Sequence, residues 1–286
     1  MESRIRVLLL IACALALSGC SWWPFHRKHA EEPIPVEATA ADGGAPAVVE
    51  PTRLLLDRLV GELTADVTIR TAAYTVLGLS RLDRDRLDLR ARRLLERLVE
   101  QLDESYEHTA GEGWRWFEDE LTYDNARLAQ ALMIGGAALG LDGPVERGLE
   151  SLRWLGDEYG LASGVLWLSG HEGRLRGEPG PGDGDEQPLD AAALVEAELT
   201  AFAITGRKEH GVRSTRAFEW FLGRNHLQRP LYDFATGGCS DGLGNEALNL
   251  NEGAESTLSL HRAALLLDAA GVRAPVDTRA LARVAS

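Results

Sequence analysis

Apolar residues recur at helical spacing along most of the chain, and no stretch alternates apolar and polar residues for more than a few positions. Apolar positions three or four apart line one face of an α-helix, whereas alternation is typical of a half-buried strand. Clusters of Asp, Pro, Gly and Asn divide the pattern into segments. The sequence therefore predicts an all-α protein with helices near 67–82, 87–106, 123–141, 145–159, 188–205, 211–224, 252–270 and 278–284.

The predicted helices are of two kinds. Segment 126–139 has small residues on nearly every side, as a helix enclosed by other helices requires. Segment 86–104 carries Arg and Glu around a leucine stripe and belongs at a wet surface. Small-residue helices inside and amphipathic helices outside predict an α/α toroid of about four helical hairpins. A generic α-solenoid is the alternative arrangement.

Three acidic residues stand at the starts of small-residue helices: Asp124, Asp190 and Glu255. In a toroid the starts of the inner helices converge on one mouth, so these carboxylates should face a common opening. Acidic residues also favour helix N-termini because they accept hydrogen bonds from free N–H groups and interact favourably with the helix dipole. That explanation accounts less well for the Trp, Tyr and Asn residues that crowd the same helix ends.

The segment 113–128 combines aromatic rings, carboxylates and a helix start. Aromatic faces stack on the apolar faces of sugar rings, and carboxylates accept hydroxyl hydrogen bonds or act as acid and base on a glycosidic bond. The segment therefore predicts a carbohydrate site. Its candidate residues are Trp114, Trp116, Glu118, Tyr123, Asp124 and Asn125.

The N-terminus has the pattern of a bacterial lipoprotein signal over residues 1–20: Arg4 and Arg6 precede an apolar run that ends in Leu-Ser-Gly-Cys at Cys20. In that interpretation Cys20 is acylated and anchors the chain to a lipid bilayer. An ordinary signal peptide with a chance cysteine is the alternative. Ser21 indicates, by resemblance to the enterobacterial sorting rule, the outer membrane's periplasmic face.

The next segment, 21–50, is rich in Pro, Ala and Glu and has no sustained apolar period, which predicts a disordered tether. The remaining residues, 51–286, are enough for one α/α-toroid domain with a substantial core.

Charge and cysteine content exclude several classes of function. The net charge of −14 argues against nucleic acid as a partner. Cys13 leaves with the signal and Cys20 carries lipid, so Cys239 has no disulfide partner and is expected to be a packed or idle thiol. The histidines show no metal spacing beyond His26 and His29 in the tether, and no phosphate loop or dinucleotide fingerprint is present. We expect neither a metal nor a cofactor.

Four stretches carry a family resemblance: 114–128, 217–225, 230–233 together with 237–243, and 251–257. They resemble the α-helical domain of the six-hairpin glycosidase-like superfamily, in a subtype often fused to or encoded near bacterial sugar-transferring enzymes. The resemblance covers the superfamily's C-terminal four hairpins only. It implies an α/α toroid concerned with carbohydrate, in a superfamily of hydrolases, lyases, epimerases and domains without assigned activity.

The family pattern can be carried over residue by residue. Its conserved positions fall on Trp116, Phe117, Glu118, Leu121, Thr122, Tyr123, Asp124 and Asn125, on Gln187 and Pro188, and on Asn251, Gly253, Glu255 and Ser256. This chain departs from the pattern with Glu186 and Glu252 in place of Gln and Asp190 in place of Glu. The loop 161–186 is rich in Gly and Pro where the family has aromatic and Arg-rich substrate contacts.

Three functions are compatible with these observations. The protein could be a glycan-binding or accessory domain for cell-envelope or imported oligosaccharides, a glycoside hydrolase-like enzyme with Asp124 and Glu255 as its catalytic carboxylates, or a scaffold for a protein partner. The incomplete arc and the altered loop favour the accessory domain. The predicted substrate-binding residues are Trp114, Trp116, Glu118, Tyr123, Asn125, Gln187, Asp190, Asp241, Asn251 and Glu252.

An incomplete arc leaves its first inner helix, near 67–82, short of one neighbour. An apolar edge of this kind usually marks an interface. Either a protein partner covers it, or segment 48–62 folds back as an extra helix. We favour the fold-back, because leucines recur at helical spacing in that segment and the connection is short.

Overall fold

The computed structural model describes residues 58, 60, 67–82 and 88–272. Within them the chain is mostly helical, which confirms the predicted all-α class. The helices are α1 (Ile69–Leu79), α2 (Leu89–Thr109), α3 (Ala126–Leu139), α4 (Asp142–Glu158), α5 (Pro188–Thr205), α6 (Lys208–Phe218), continued by a 3-10 turn (Glu219–Leu222), and α7 (Ala254–Ala269). Two antiparallel pairs of short strands join β1 (Glu120–Leu121) to β2 (Arg174–Leu175) and β3 (Gly242–Leu243) to β4 (Leu248–Asn249).

The helices form an open α/α arc. Helices α1, α3, α5 and α7 lie side by side in chain order, and α2, α4 and α6 each pack against the helix that precedes them. Residues of α5 are buried on every side, whereas α2 buries only its leucine stripe. The described residues therefore contain three hairpins and one further inner helix, arranged as an incomplete toroid. The predicted helix at 278–284 lies outside the described residues.

Local sequence signals set the helix boundaries. Oδ1 of Asp88 accepts hydrogen bonds from the N–H groups of Arg90 and Ala91 at 2.9 and 2.8 Å, which caps α2. Helices α3 and α5 end at Gly140 and Gly206 in the left-handed conformation that glycine adopts without strain.

The inner and outer helices approach one another closely. A Cβ atom at Gly148 of α4 would lie 2.6 Å from Cγ of Met133 and 3.0 Å from the carbonyl oxygen of Ala129. Only glycine fits this contact between α3 and α4. Cys239 is fully buried, and burial raises the pKa of its thiol to about 12, which confirms the expected packed thiol.

Several sequence predictions concern residues outside the described ranges. These include the signal (1–20), the tether (21–50) and most of the fold-back segment. Arg58 and Val60 of that segment are helical, and Val60 packs partly buried against the core. No helix in the described part of the chain has the length and apolar character needed to cross a bilayer.

Candidate functional site

The N-termini of the inner helices lie next to one another at one end of the arc. Arg70, in the first turn of α1, donates hydrogen bonds to the carbonyl oxygen of Tyr123 and to Oδ1 of Asn125, both at 3.1 Å and both just before α3. The carboxyl of Asp190, in the first turn of α5, lies close enough to the backbone N–H groups of Asp124 and Asn125 for them to act on its pKa. The predicted convergence of helix starts on one mouth is therefore confirmed for α1, α3 and α5.

Asp124 occupies the turn before α3 with a left-handed φ of 49°. One carboxylate oxygen accepts a hydrogen bond from the Tyr74 hydroxyl, and the other lies 3.4 Å from Nε of Arg127. Burial raises the pKa of Asp124, although the Arg127 charge and the Tyr74 hydrogen bond oppose the shift. A raised pKa suits a general acid, yet only 4% of this residue is exposed.

Asp190 joins α5 to α3. Its side chain is buried, and Oδ1 has no hydrogen-bond partner. Burial raises the pKa of Asp190 well above its usual value, and the nearby charge of Asp124 raises it further. The backbone N–H groups at the start of α3 act in the opposite direction. Asp124 and Asp190 are therefore a pair of interacting buried carboxyls behind the surface of the mouth.

A buried ion network connects three inner helices behind this pair. Arg127 of α3 donates to both carboxylate oxygens of Glu196 on α5, at 2.8 and 3.0 Å, and Arg262 of α7 donates to Glu196 at 2.8 Å. Burial alone would raise the pKa of Glu196, but the two guanidinium groups hold it below its usual value. This ionised network fixes the spacing of the helices whose N-termini form the mouth.

A polar cleft of about 440 Å³, the mouth cleft, opens beside the starts of α5 and α7. Its lining residues are His171, Asp185, Gln187, Asp241, Asn249, Gly253, Ala254, Glu255 and Ser256. Glu255 is exposed in the first turn of α7, and no described residue donates a hydrogen bond to it. The structure thus brings the predicted residues Gln187, Asp241 and Glu255 together, whereas Asp124 is not part of this lining.

Asp241 organises the loop that precedes α7. Its carboxylate accepts hydrogen bonds from the Ser256 hydroxyl at 2.6 Å, from the Gly253 N–H at 2.7 Å and from the Asn251 side chain. These bonds, the one from Ser256 foremost, hold the pKa of Asp241 below its usual value. Asp241 is consequently an ionised acceptor that fixes the cleft wall.

The tryptophans Trp114 and Trp116 lie in the core and not in the mouth cleft. Trp116 is fully buried, and its ring packs against Phe117 and Trp154. Trp114 is almost as buried and packs edge-on against Trp154, while its Nε1 donates to the carbonyl oxygen of Glu118 at 2.8 Å. These two rings are therefore not open to a sugar as predicted, because their faces are covered by protein.

The other predicted residues have mixed surroundings. Glu118 forms an ion pair with Arg70 at 2.5 Å, and the Arg70 guanidinium lies 5.1 Å from the centre of the half-exposed Tyr123 ring. Asn125 is buried and donates to the Tyr159 hydroxyl at 3.0 Å. Asn251 and Glu252 are exposed beside Asp241, where Glu252 accepts a hydrogen bond from the Thr236 hydroxyl at 2.9 Å.

Sequence reasoning missed several residues around the mouth. His171, Asp185 and Asn249 line the mouth cleft but were not assigned to it, and Ser256, a position of the family pattern, was given no role there. A second cleft, of about 590 Å³, is lined by Trp167, Gly173, Glu178, Pro179, Pro181, Gly182, Asp183, His226 and Asn245. Trp167 could have indicated this second cleft, because an indole in a loop rich in Gly and Pro has few neighbours in sequence to bury it. No group of three or more His, Cys, Asp or Glu side chains in the described ranges could hold a metal ion.

Comparisons with known proteins add a structural likeness. No protein-family model matches the sequence, and no curated protein matches it. Among solved structures, the chain is similar to a GH76 α-mannanase from Bacteroides thetaiotaomicron, with a TM-score of 0.48 and 12% sequence identity over 76% of this chain. This chain spans 57% of the length of that chain. The likeness assigns no role to any residue, and the incomplete α/α toroid stands on the helix arrangement described above.

Proposed function

We propose that this protein is a glycan-binding or accessory domain that takes a cell-envelope or imported oligosaccharide in the mouth cleft. We further propose that acylated Cys20 anchors it to a bacterial membrane, at the periplasmic face of the outer membrane. The single observation that carries the glycan proposal is the lining of the mouth cleft, where carboxylates and side-chain amides meet at the starts of two inner helices.

The chemistry of this lining suits sugar hydroxyls. A hydroxyl both donates and accepts, so it pairs best with a wall that offers acceptors and donors together. Asp185, Asp241 and Glu255 supply acceptors, while the Gln187 and Asn249 amides supply both kinds of group. The carboxylates also disfavour anionic ligands such as phosphate esters.

Binding is favoured over catalysis by the positions of the perturbed carboxyls. Hydrolysis of a glycosidic bond needs a protonated carboxyl with a raised pKa at the scissile bond. The raised pKa values belong to Asp124, Asp190 and Glu186, which are all buried, whereas the cleft-lining Asp241 has a lowered one. The exposed carboxylate of Glu255 serves as an acceptor for a bound hydroxyl.

The test is a binding and turnover screen of the full-length protein against manno-, gluco- and N-acetylglucosamine oligosaccharides. We expect at least one series to bind without release of new reducing ends. Glu255→Gln removes one charged acceptor and should weaken binding roughly threefold to tenfold. Glu146→Gln, an exposed change on α4 outside the cleft lining, is the matched control and should bind like the wild type.

Two outcomes contradict the proposal. The first is that no oligosaccharide of the panel binds. The second is that the Glu255→Gln and Glu146→Gln proteins bind as tightly as the wild type, which would move the site away from the mouth cleft.

A second candidate function is glycoside hydrolysis, and the raised pKa of Asp124 is the observation that favours it. Asp124 would serve as the acid once a substrate or a side-chain movement uncovers it, with Glu255 as base or nucleophile. In that case new reducing ends appear in the screen, and Asp124→Asn abolishes them. Binding without turnover rejects this candidate.

A further inference from the structure

Trp167 presents a half-exposed indole to the second cleft, here named the Trp167 cleft. One face of the indole stacks on the ring of His226, with 4.8 Å between ring centres and 18° between planes. The residue remains 44% exposed. An aromatic face that is free on one side and supported on the other is available to a ligand.

Backbone contacts hold this indole in place. The N–H of Trp167 donates to the carbonyl oxygen of Tyr159 at 3.0 Å. On either side, Leu166 N–H donates to the carbonyl oxygen of Arg224 at 3.1 Å and Leu168 N–H donates to Oε2 of Glu186 at 2.9 Å. Three consecutive N–H groups thus fix the backbone at Trp167, and the stack on His226 orients the ring, so little further ordering is needed when a ligand binds.

The supporting His226 is itself anchored from behind. Its Nε2 lies 3.2 Å from the carbonyl oxygen of Gly244, which can only accept, so Nε2 carries a proton. Its Nδ1 lies 2.6 Å from Oε1 of Glu186, and the other oxygen of Glu186 accepts from Nε1 of Trp220 at 2.8 Å. Glu186 is therefore a close buried neighbour of the imidazole, although neither its Oε1 nor Nδ1 of His226 has a hydrogen-bond partner among the described residues.

The loop 171–185 forms a wall between the two clefts. Its two arms are joined by hydrogen bonds from His171 N–H to the Asp185 carbonyl oxygen and from Glu172 N–H to the Asp183 carbonyl oxygen, each 3.1 Å. His171 and Asp185 line the mouth cleft, whereas Asp183 lines the Trp167 cleft. One ligand that crosses this wall would contact both clefts.

We propose that the Trp167 cleft is a second sugar subsite, in which a neutral pyranose ring stacks on Trp167 while its hydroxyls bond to Asn245 and Asp183. The inference rests on the proposed glycan binding and adds to it a subsite used by longer oligosaccharides. Three observations support it: a free indole face that is already held in position, the cleft volume of about 590 Å³ and the polar groups beside the ring.

Other ligand classes fit the Trp167 cleft less well. A quaternary ammonium group is best held by several aromatic faces, whereas the described lining offers one free indole face. The carboxylates of Glu178 and Asp183 oppose an anionic ligand. A neutral sugar uses both the apolar ring face and the acceptors.

The test compares affinities of the full-length protein and its variants for short and long members of the oligosaccharide series that binds. Trp167→Ala should weaken binding of the longer members roughly threefold to tenfold. Trp167→Phe keeps an aromatic face and should recover part of the loss. Phe234→Ala, which truncates an exposed aromatic residue outside both cleft linings, is the control and should change nothing. Thermal melts confirm that each variant is folded.

The outcomes separate this inference from the proposed function. If Trp167→Ala binds every oligosaccharide like the wild type while Glu255→Gln weakens binding, the second subsite is wrong and the mouth cleft stands. If the wild type binds none of the series, both proposals fall. If tetramethylammonium binds in a manner that depends on Trp167 and the oligosaccharides do not, the cleft is a cation site and the sugar assignment is wrong.

Discussion

Replacing Glu186 by Gln should stabilise the protein, and more so as the pH rises. The Glu186 carboxyl is almost fully buried, and Oε2 accepts hydrogen bonds from Leu168 N–H and Trp220 Nε1. Its Oε1 faces Nδ1 of His226, an acceptor when Nε2 carries the proton. These two atoms lie 2.6 Å apart and neither has a hydrogen-bond partner in the described part of the chain, so a protonated carboxyl suits this contact better than two facing acceptors do. Glutamine can keep both accepted bonds and supply an amide N–H in place of that proton.

The sign follows from proton linkage. Burial raises the pKa of Glu186 from 4.5 to about 8. Between these values the folded protein keeps a proton that the unfolded chain has lost, so the free energy of unfolding falls as the pH rises. The pKa of this carboxyl in the unfolded chain lies about 2.5 units below pH 7. At about 1.4 kcal/mol per unit, the difference lowers the free energy of unfolding of the wild type by up to about 3 kcal/mol at pH 7.

His226 contributes a separate pH dependence. Burial lowers the pKa of His226. As the pH decreases, the imidazole is therefore protonated in the unfolded chain at a higher pH than in the folded protein, and its contribution to the free energy of unfolding falls once the pH passes below the pKa in the unfolded chain. Both proteins retain His226. The difference in stability between Glu186→Gln and wild type therefore reports the carboxyl together with its contact to His226.

The assay is urea unfolding of the wild type, Glu186→Gln and the control Glu146→Gln at intervals from pH 4.5 to pH 8. The Glu186→Gln gain should be small at pH 4.5 and grow to roughly 1–3 kcal/mol by pH 7, whereas the control should shift equally at all pH values. A Glu186→Gln protein that is less stable than wild type at neutral pH would show that Glu186 and His226 form an ion pair. A gain that does not change with pH would refute the raised pKa.

Three further predictions concern the anchor, the core and the ion network. Cys20→Ser should release the protein from membranes or leave its signal uncleaved; membrane fractionation identical to wild type would reject the lipoprotein assignment. Trp116→Ala should cost about 3–5 kcal/mol of unfolding free energy in urea melts, because a fully buried indole leaves a cavity. Glu196→Ala should cost about 3–5 kcal/mol because the largely buried Arg127 loses both bonds to this carboxylate and keeps only the longer Asp124 contact and the Gln130 hydrogen bond, and a loss below about 1 kcal/mol would show that water replaces the carboxylate.

The helical class, the order of inner and outer helices and most helix boundaries could be predicted from the sequence. The spacing of apolar residues and the content of small residues distinguish an enclosed helix such as α5 from an amphipathic one such as α2, even when the neighbouring helices are unknown. The convergence of helix starts was also predictable, because Asp124 and Asp190 recur at equivalent positions. Both carboxyls do lie at that end of the arc, where Asp190 is beside the backbone N–H groups at the start of α3.

Burial at the site could not be predicted from the same pattern. Trp116 stands in a charged stretch and Trp167 in an apolar one, yet Trp116 is enclosed by Phe117 and Trp154 while Trp167 is left beside a cleft. Which indole faces solvent depends on contacts between segments far apart in the chain, such as His226 beneath Trp167. Likewise, Asp124 is covered because Tyr74 and Arg127 reach it from α1 and α3.

The most direct test of glycan binding at the mouth is hydrogen exchange of the full-length protein with and without a bound oligosaccharide. Our account predicts slower exchange in the backbone around 183–190 and 249–257, which borders the mouth cleft, and unchanged exchange in the outer helix α4. Protection confined to α4 and the other outer helices, or no protection at a saturating oligosaccharide concentration, would contradict it.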